Sequence, residues 1–223
     1  MRLFRNPLSI FGRRRLADKI LRADCVRLNI GAGRTRYKGW ISVEKYALDI
    51  TRPEDFSYFF GHKKISKILL EHVVEHIQQE DFLEFLTHVK INLVPGATIR
   101  IAVPDAYHPS EYVRELTKPG GLEPGADDHK VFYSIDLMTD IASKHGYTIK
   151  PIEFFDSKGF FHTDIDSWNN GYISRCSTNY EGRFTSNKDE FAKLIETTPA
   201  DLRHQFIDNS ISYTSLFVDF IKE

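Results

Sequence analysis

Short apolar runs alternate with segments of helical periodicity from Val26 to the end of the chain. Apolar runs of roughly four to eight residues between turn residues are typical of buried strands. The runs that fit this description are VRLNI, WISVE, KISKILL, ATIRIAVP, TIKPIEFF and TSLFVDFI. We therefore predict a strand at each of them.

Two longer segments carry apolar residues at helical spacing. EHVVEHIQQEDFLEFLTHVKINL follows the third run and stops before Pro95, and SIDLMTDIASKHGY begins with a Ser cap and stops at Gly146. Strands that alternate with helices form a mostly parallel sheet with helices on both faces, so the predicted class is α/β. In such sheets the ligand binds beyond the carboxyl ends of the strands, where the strand order reverses.

The composition sets broad limits on the function. A chain of 223 residues suffices for one domain with a sizeable core, and a net charge of -1 gives no global attraction to nucleic acid. Cys25 and Cys176 are too few for a disulfide framework or a four-cysteine metal site, so we expect a reducing cytoplasm. No apolar run approaches the roughly 20 residues of a membrane helix.

The first 24 residues differ from the rest in charge. They hold seven Arg or Lys against two Asp, with Leu16, Ile20 and Leu21 at helical spacing. Residues 1–24 are therefore predicted to form a basic helical extension, and residues 25–223 the main domain. The extension is either a weak anchor for a membrane surface or a partner protein, or a helix that covers an edge of the fold.

The ends of the first two predicted strands favour a ribonucleoside ligand. Gly31 and Gly33 allow close approach of a ligand to the backbone, and Glu44 follows the second strand where an acid can accept from both ribose hydroxyls. A dinucleotide fingerprint would need a third Gly three residues after Gly33, which this sequence lacks, and an acid about 20 residues on. Pyrophosphate binding is therefore disfavoured, and the connection between the two strands must be compact.

The stretch LLEHVVEHI places His72, Glu75 and His76 at spacings that put them on one face of a helix. His-x-x-Glu-His is the inverted zinc-protease signature. The alternative is that these groups lie at the mouth of a nucleotide-type fold. A zinc hydrolase would require a third ligand and would leave the glycine turn and Glu44 unexplained, so we assign no metal ligand.

Five motifs in order carry a resemblance to a known family. VRLNIGAG, GWISVE, ALDIT, LLEHVVEHI and LVPGATIRIAVPD resemble class I S-adenosylmethionine-dependent methyltransferases, in particular a small bacterial group with LNIGCG, GWxNVD, EHVLEH and LKPGGxLRIAVPD. The resemblance covers residues 26–147, and YTSLFVDFIK matches that group's last strand. It implies a Rossmann-like, seven-stranded sheet whose last strands include an antiparallel one, and S-adenosylmethionine as methyl donor.

The resemblance also implies roles for individual residues. Gly31 and Gly33 would lie under the methionine part of the cofactor, Glu44 on the ribose and Asp49 with Ile50 at the adenine. The full set of cofactor residues it implies is Asn29, Gly31, Ala32, Gly33, Glu44, Asp49, Ile50 and Glu71. Ala32 and Glu44 replace the group's usual Cys and Asp, and VPGA replaces KPGG, which are mild changes.

A hydroxyl acceptor must lose a proton, which suits a histidine base. His72 and His129 are the candidates, with Asp105 as a partner that orients a histidine or the acceptor. Each has a structural alternative: His72 would cap a helix, His129 would be an exposed loop residue, and Asp105 would accept from backbone donors after Pro104.

Two long segments, 106–130 and 156–211, interrupt the strand and helix pattern and are predicted to cover the substrate. Relatives associated with cell-surface polysaccharides favour a sugar, sugar nucleotide or glycan precursor as acceptor. The competing hypotheses are the zinc hydrolase and a non-catalytic cofactor-binding or scaffold protein. Nucleic acid is disfavoured as substrate, since no Pro-Pro-aromatic base-flipping motif follows KISKILL.

Overall fold

A single mixed sheet organises the chain. The computed structural model describes residues 7–164, 168–177, 188–209, 211 and 214–223. The strands in these ranges are β1 Val26–Ile30, β2 Ile41–Val43, β3 Ile65–Glu71, β4 Leu93–Pro104, β5 Tyr147–Phe155, β6 Phe161–Thr163 and β7 Ser215–Lys222. The helices are α1 Pro7–Arg22, α2 Pro53–Phe60, α3 Gln79–Val89, α4 Glu111–Thr117, α5 Ile135–Lys144, α6 Lys188–Glu196 and α7 His204–Asn209.

The strand order is β2-β1-β3-β4-β7-β5-β6. Neighbours from β2 to β4 pair in parallel, whereas β7 pairs antiparallel with both β4 and β5, and β6 pairs antiparallel with β5. The predicted seven-stranded, mostly parallel sheet with an antiparallel late strand is confirmed. The order reverses between β1 and β3, which places the expected ligand site at their carboxyl ends.

Alternate residues of the central strands belong to two separate cores, as the period of a strand requires. Ile99 and Ile101 of β4 lie in the large cluster, which also takes residues from α1, α2, α3 and α5. Ala102 lies on the opposite face, in a small cluster with Ile173 and Cys176. The main hydrophobic core therefore occupies one face of the sheet.

The second face carries a buried ion pair beneath an irregular segment. Arg100 donates from Nε to Asp219 Oδ1 at 2.7 Å and from Nη2 to Oδ2 at 2.8 Å, and both side chains are 1% exposed. Arg100 Nη1 also donates to the carbonyl of Gly171. We call residues 168–177 the cover segment, because among the described residues this segment, with a 3-10 turn at Trp168–Asn170 but no α-helix, covers the centre of that face. The predicted packing of helices on both faces therefore does not hold at the centre of the sheet.

The helix α1 packs on the main core through Leu16 and Ile20, which are 4% and 1% exposed. Arg13 donates to Asp55 Oδ1 at 2.8 Å and thereby ties α1 to α2. This arrangement corresponds to the alternative of a helix that covers an edge of the fold. The division of the chain at residue 24 stays a prediction. In the described ranges, no helix combines the length and the apolar character needed to span a membrane.

Several local predictions are confirmed. The connection from Gly31 to Trp40 contains no helix, as its shortness requires. Ser134 caps α5 by accepting from the Leu137 amide at 3.3 Å, and Gly146 follows the helix with φ +66°.

The prediction that an α-helix begins within LLEHVVEHI is wrong. Strand β3 runs to Glu71, His72 has φ +53°, Val74–His76 form one 3-10 turn, and α3 begins only at Gln79. The amide of His72 still bonds the Ala102 carbonyl at 2.9 Å, so strand pairing continues to that point. His72, Glu75 and His76 therefore do not share one face of an α-helix.

Candidate active site

Two adjoining cavities lie at the carboxyl ends of β1, β3 and β4. The first, of about 260 Å³, is the polar cavity, and its lining includes Asn29, Gly31, Glu71, His72, His76 and His129. The second, of about 240 Å³, is the apolar cavity, and its lining includes Gly31, Leu48, Asp49, Ile50, Val73 and Ile77. Because Gly31, His72 and His76 line both cavities, one extended ligand would reach across them.

Gly31 sits at the junction with φ +68°, a backbone conformation that favours glycine. Its amide donates to the Val43 carbonyl at 2.9 Å, which joins the turn to the end of β2. A Cβ atom at this position would lie 2.6 Å from Val73 Cγ2. Gly33 also has a positive φ, of +53°, but a Cβ there would meet no atom within 4 Å. The two glycines therefore differ. Both have a positive φ, but only at Gly31 would an added side chain also collide with a neighbouring residue, Val73.

Four of the other predicted cofactor residues divide between the two cavities, whereas Gly33 is not among the residues that line either. Asn29 and Ala32 are buried beside Gly31 in the polar cavity. Asp49 and Ile50 line the apolar cavity, and Asp49 Oδ1 accepts from the amide and hydroxyl of Thr51 at 3.0 and 2.8 Å. The structure thus brings these four residues to one ligand-sized space.

Glu44 lies elsewhere. It lines a third cavity, of about 180 Å³, with Arg15 and Lys19 of α1 and with Arg36. Its Oε1 atom is buried and has no hydrogen-bond partner. Assignment of Glu44 to the ribose stays a prediction, and the carboxylate would have to turn away from α1 to meet it.

Glu71 anchors the cover segment. Its Oε1 atom accepts from the Ser174 hydroxyl at 2.6 Å, from the Ser174 amide and from the Arg175 amide at 3.2 Å. Glu71 therefore lines the polar cavity and also holds Ser174 and Arg175 in the cavity wall. The sequence pattern did not reveal this contact.

His72 has both ring nitrogens engaged. Nδ1 donates to Glu75 Oε1 at 2.9 Å, and Nε2 then accepts from the Ser215 hydroxyl at 3.1 Å. Ser215 is fully buried, so this chain of three groups presents no nucleophile to a substrate. The hydrolase hypothesis named His72, Glu75 and His76 as a set, but here His72 bonds to Glu75 and offers no nitrogen to the same centre.

His129 comes to the same cavity from the predicted segment 106–130. Its Nδ1 atom donates to the Thr117 carbonyl at 2.7 Å, and its ring lies edge-on to His76 with centroids 4.7 Å apart. Burial lowers the pKa of His76, which favours its neutral form near pH 7. His129 is thus not the exposed loop residue of the structural alternative.

Asp105 has the structural role that was the alternative to catalysis: it accepts hydrogen bonds from backbone amides. The side chain is 3% exposed, and its two oxygens accept from the Tyr107 amide at 2.9 Å and the Phe155 amide at 2.8 Å. Burial raises the pKa of Asp105 to about 7. Its oxygens join β4 to β5, and Asp105 is not among the residues that line the polar or apolar cavity.

Glu153 is a buried group that the sequence interpretation missed. It is 0% exposed on β5, where Oε1 accepts from the Ser177 amide at 2.8 Å and Oε2 accepts from the Ser177 hydroxyl at 2.5 Å. Burial raises its pKa to about 7. A lone acid inside the apolar run TIKPIEFF is the signal by which Glu153 was detectable.

The two predicted covering segments both reach the polar cavity. Glu123 and Ala126 of segment 106–130 line it, as do Ser174 and Arg175 of segment 156–211. Residues 165–167, 178–187 and 210 of the second segment lie outside the described part of the chain. The role of these segments in substrate binding stays a prediction.

No protein-family model matches the chain, and no curated protein matches it. Among solved structures, a SAM dependent methyltransferase from Archaeoglobus fulgidus shares 16% identity over 96% of this chain and 93% of its own, with a TM-score of 0.43. The YcgJ protein from Bacillus subtilis shares 14% identity over 94% of this chain and 98% of its own, with a TM-score of 0.40.

A third similar structure is the magnesium protoporphyrin IX methyltransferase from Synechocystis PCC 6803 with bound SAH. It shares 10% identity over 69% of this chain and 80% of its own, with a TM-score of 0.35. Membership of the small bacterial group that the motifs resemble stays a prediction.

Proposed function

We propose that the chain is an S-adenosylmethionine-dependent methyltransferase that acts on an oxygen or nitrogen of a small polar acceptor, such as a sugar or glycan precursor. The observation that carries the proposal is the pair of adjoining cavities at the strand-order reversal, with Gly31 at their junction. S-adenosylmethionine would supply an electrophilic methyl group on a sulfonium. The protein's task is then to align donor and acceptor.

The division between the cavities fits the two ends of this cofactor. Leu48, Ile50 and Ile77 give the apolar cavity walls suited to an adenine ring, and Asp49 offers a carboxylate oxygen to its amino group. The polar cavity would receive the methionine part beside Gly31 and Asn29. Glu44 is proposed for the ribose only with a change of its side-chain position.

The acceptor would enter the polar cavity from the side of the two covering segments. Its lining of Glu71, His76, His129 and Arg175 offers hydrogen-bonding groups and few apolar surfaces, which suits a hydroxylated acceptor better than an apolar one. Of the predicted catalytic residues, His129 keeps a ring nitrogen for the cavity, because only its Nδ1 is used by Thr117. His72 acts as a positioning residue, and Asp105 as a structural one.

Calorimetric titration with S-adenosylhomocysteine tests the cofactor. The full-length chain is expected to bind one equivalent, and Asp49→Ala to weaken binding roughly ten- to hundredfold, as for loss of a hydrogen bond to a charged group. Asp140→Ala, on the exposed side of α5 where Asp140 pairs with Lys144, is the matched control and should bind like the parent. Absence of binding at millimolar ligand would overturn the proposal. NAD is expected not to bind.

A further inference from the structure

We propose that Glu75, His76 and His129 form a binding site for a divalent transition-metal ion in the wall of the polar cavity. One ligating atom from each side chain lies within 4.8 Å of the other two. The role assigned to the ion, to hold an oxygen of the acceptor, rests on the proposed methyltransferase function. The binding of the ion does not.

The three residues come from two segments that are fastened together. Glu75 and His76 belong to the 3-10 turn after β3, whereas His129 follows a second short turn at Ala126–Asp128. The amide of Lys130 donates to the Glu75 carbonyl at 2.6 Å, directly beside the cluster. The approach of His129 to the other two side chains is therefore fixed by backbone bonding.

Glu75 has the features of a ligand that lacks its partner. It is 0% exposed, and Oε1 accepts from His72 Nδ1, but Oε2 is buried without any hydrogen-bond partner. A buried carboxylate oxygen left unpaired is costly, because it loses hydration and gains nothing. A cation at this position would supply the missing interaction.

His129 is held in the tautomer that a ligand needs. Because Nδ1–H donates to the Thr117 carbonyl, Nε2 of the neutral ring carries the lone pair. Histidines that bind metals commonly donate their other ring nitrogen to a backbone carbonyl or a carboxylate. Asp128 Oδ2, 3.7 Å from His76 Nδ1, stands near enough to serve His76 in the same way after a small shift.

The donor set selects a class of ion. Two imidazole nitrogens and one carboxylate oxygen suit zinc, iron or manganese, whereas magnesium and calcium prefer oxygen ligands alone. Three protein ligands leave a coordination position open, and His76 and His129 line the polar cavity into which it would face. An acceptor oxygen is the natural occupant of that position.

The side chains must close slightly on the ion. Donor atoms around a tetrahedral zinc, with bonds of about 2.0–2.1 Å, stand roughly 3.3 Å apart. Binding would therefore draw the three groups together by up to about 1.5 Å. The competing explanation is a histidine pair that merely packs against a carboxylate, and that arrangement would bind no ion.

Equilibrium dialysis of the full-length chain against zinc chloride, and separately against manganese chloride, distinguishes the two. We expect one ion per chain, and at least a hundredfold weaker binding in His129→Ala, since loss of a ligand should exceed the 10- to 100-fold cost of losing an outer partner. His62→Ala is the matched control, because His62 is exposed in the turn before β3, at the opposite end of that strand. It should bind like the parent.

Glu75→Gln is the second test variant, and thermal melting shows whether its buried amide is tolerated. His129 is only half-buried, so His129→Ala keeps the test valid if Glu75→Gln fails to fold. No stoichiometric ion in the parent, or equal binding by the parent and His129→Ala, would overturn the metal site. Titration with S-adenosylhomocysteine separates the two proposals: cofactor without metal refutes this inference alone, and metal without cofactor refutes the methyltransferase alone.

Discussion

The two walls of the polar cavity are built in different ways. One wall consists of strand ends, with Gly31 after β1 and His72 after β3, each placed by the backbone pairing of its strand. The other wall consists of residues from segments 123–129 and 174–175, which belong to no strand. The first wall is a consequence of the sheet, whereas the second is attached to it.

The cover segment, which supplies residues 174–175 of the second wall, is held by carboxylates of β3, β5 and β7. Glu71 binds Ser174 across 103 residues of sequence, Glu153 binds Ser177 across 24, and Asp219 binds Asn170 across 49. Each carboxylate stands on a strand and each partner stands in the cover segment. We therefore expect removal of a single carboxylate to destabilise this part of the second wall. The strand-end wall should be destabilised by substitutions that do not fit its backbone conformation.

The largest expected effect is that of Asp219→Ala. It removes the carboxylate that balances the charge of the buried Arg100 guanidinium, and breaking a buried ion pair typically costs about 3–5 kcal/mol. For a chain of this size that corresponds to a fall in Tm of roughly 6–20 °C in a thermal melt. Asp140→Ala breaks an exposed pair with Lys144 and should change the free energy of unfolding by less than about 0.5 kcal/mol. Similar melts for both variants would show that the buried pair does not stabilise the fold.

The second effect depends on pH. The pKa of Glu153 is raised by burial from 4.5 to about 7, so the folded chain holds the proton more tightly than the unfolded chain. Stability from this group is therefore complete below about pH 4.5 and is lost as pH rises through 7. The loss is on the order of 3 kcal/mol at pH 8.

Glu153→Gln should remove that loss, because a Gln oxygen can accept from the Ser177 amide while its NH₂ donates to the Ser177 hydroxyl. We expect denaturant unfolding of Glu153→Gln to be flatter between pH 5 and 8, and the variant to be more stable at pH 8. Asp105→Asn is the contrast, since both Asp105 oxygens accept from backbone amides and an NH₂ group would face one of them. A Glu153→Gln profile that parallels the parent's would contradict the shift.

The smallest expected effect is the difference in stability between two glycine variants of the strand-end wall. Gly31→Ala and Gly33→Ala both place a side chain at positive φ, which costs roughly 1–2 kcal/mol. Only Gly31→Ala adds the close contact with Val73, worth roughly a further 1–3 kcal/mol. Thermal melts should therefore separate the two variants by about 2 kcal/mol, with Gly31→Ala the less stable. Equal stability would mean that Val73 yields at no cost.

The strand-end wall was largely predictable from sequence. Apolar runs marked the strands, and residues directly after them, such as Gly31 after β1 and His72 after β3, line the polar cavity. The helix predicted at His72 was wrong because its apolar spacing continues unbroken into α3, although the left-handed His72 and the 3-10 turn intervene. The cavity that Glu44 shares with α1 was also not predictable, since it depends on where α1 packs on the fold.

The second wall was not predictable in its contacts. The segments were recognisable as long interruptions of the strand pattern, but nothing local to Ser174 or Ser177 indicates which carboxylate binds it. The same holds for His76 and His129, whose meeting depends on the bond between Lys130 and Glu75. Contacts between residues distant in sequence are set by the complete fold.

The left-handed conformation of His72 limits what evolution can place at that position. Gly tolerates a φ of +53° more readily, yet it has no ring nitrogens to span Glu75 and Ser215. A substitution that relieves the backbone strain at position 72 would remove the hydrogen bond to Glu75. Keeping the histidine keeps the strain. Substitution of His72 is thus restricted by two opposing requirements: the main chain favours glycine, and the side-chain contacts require histidine.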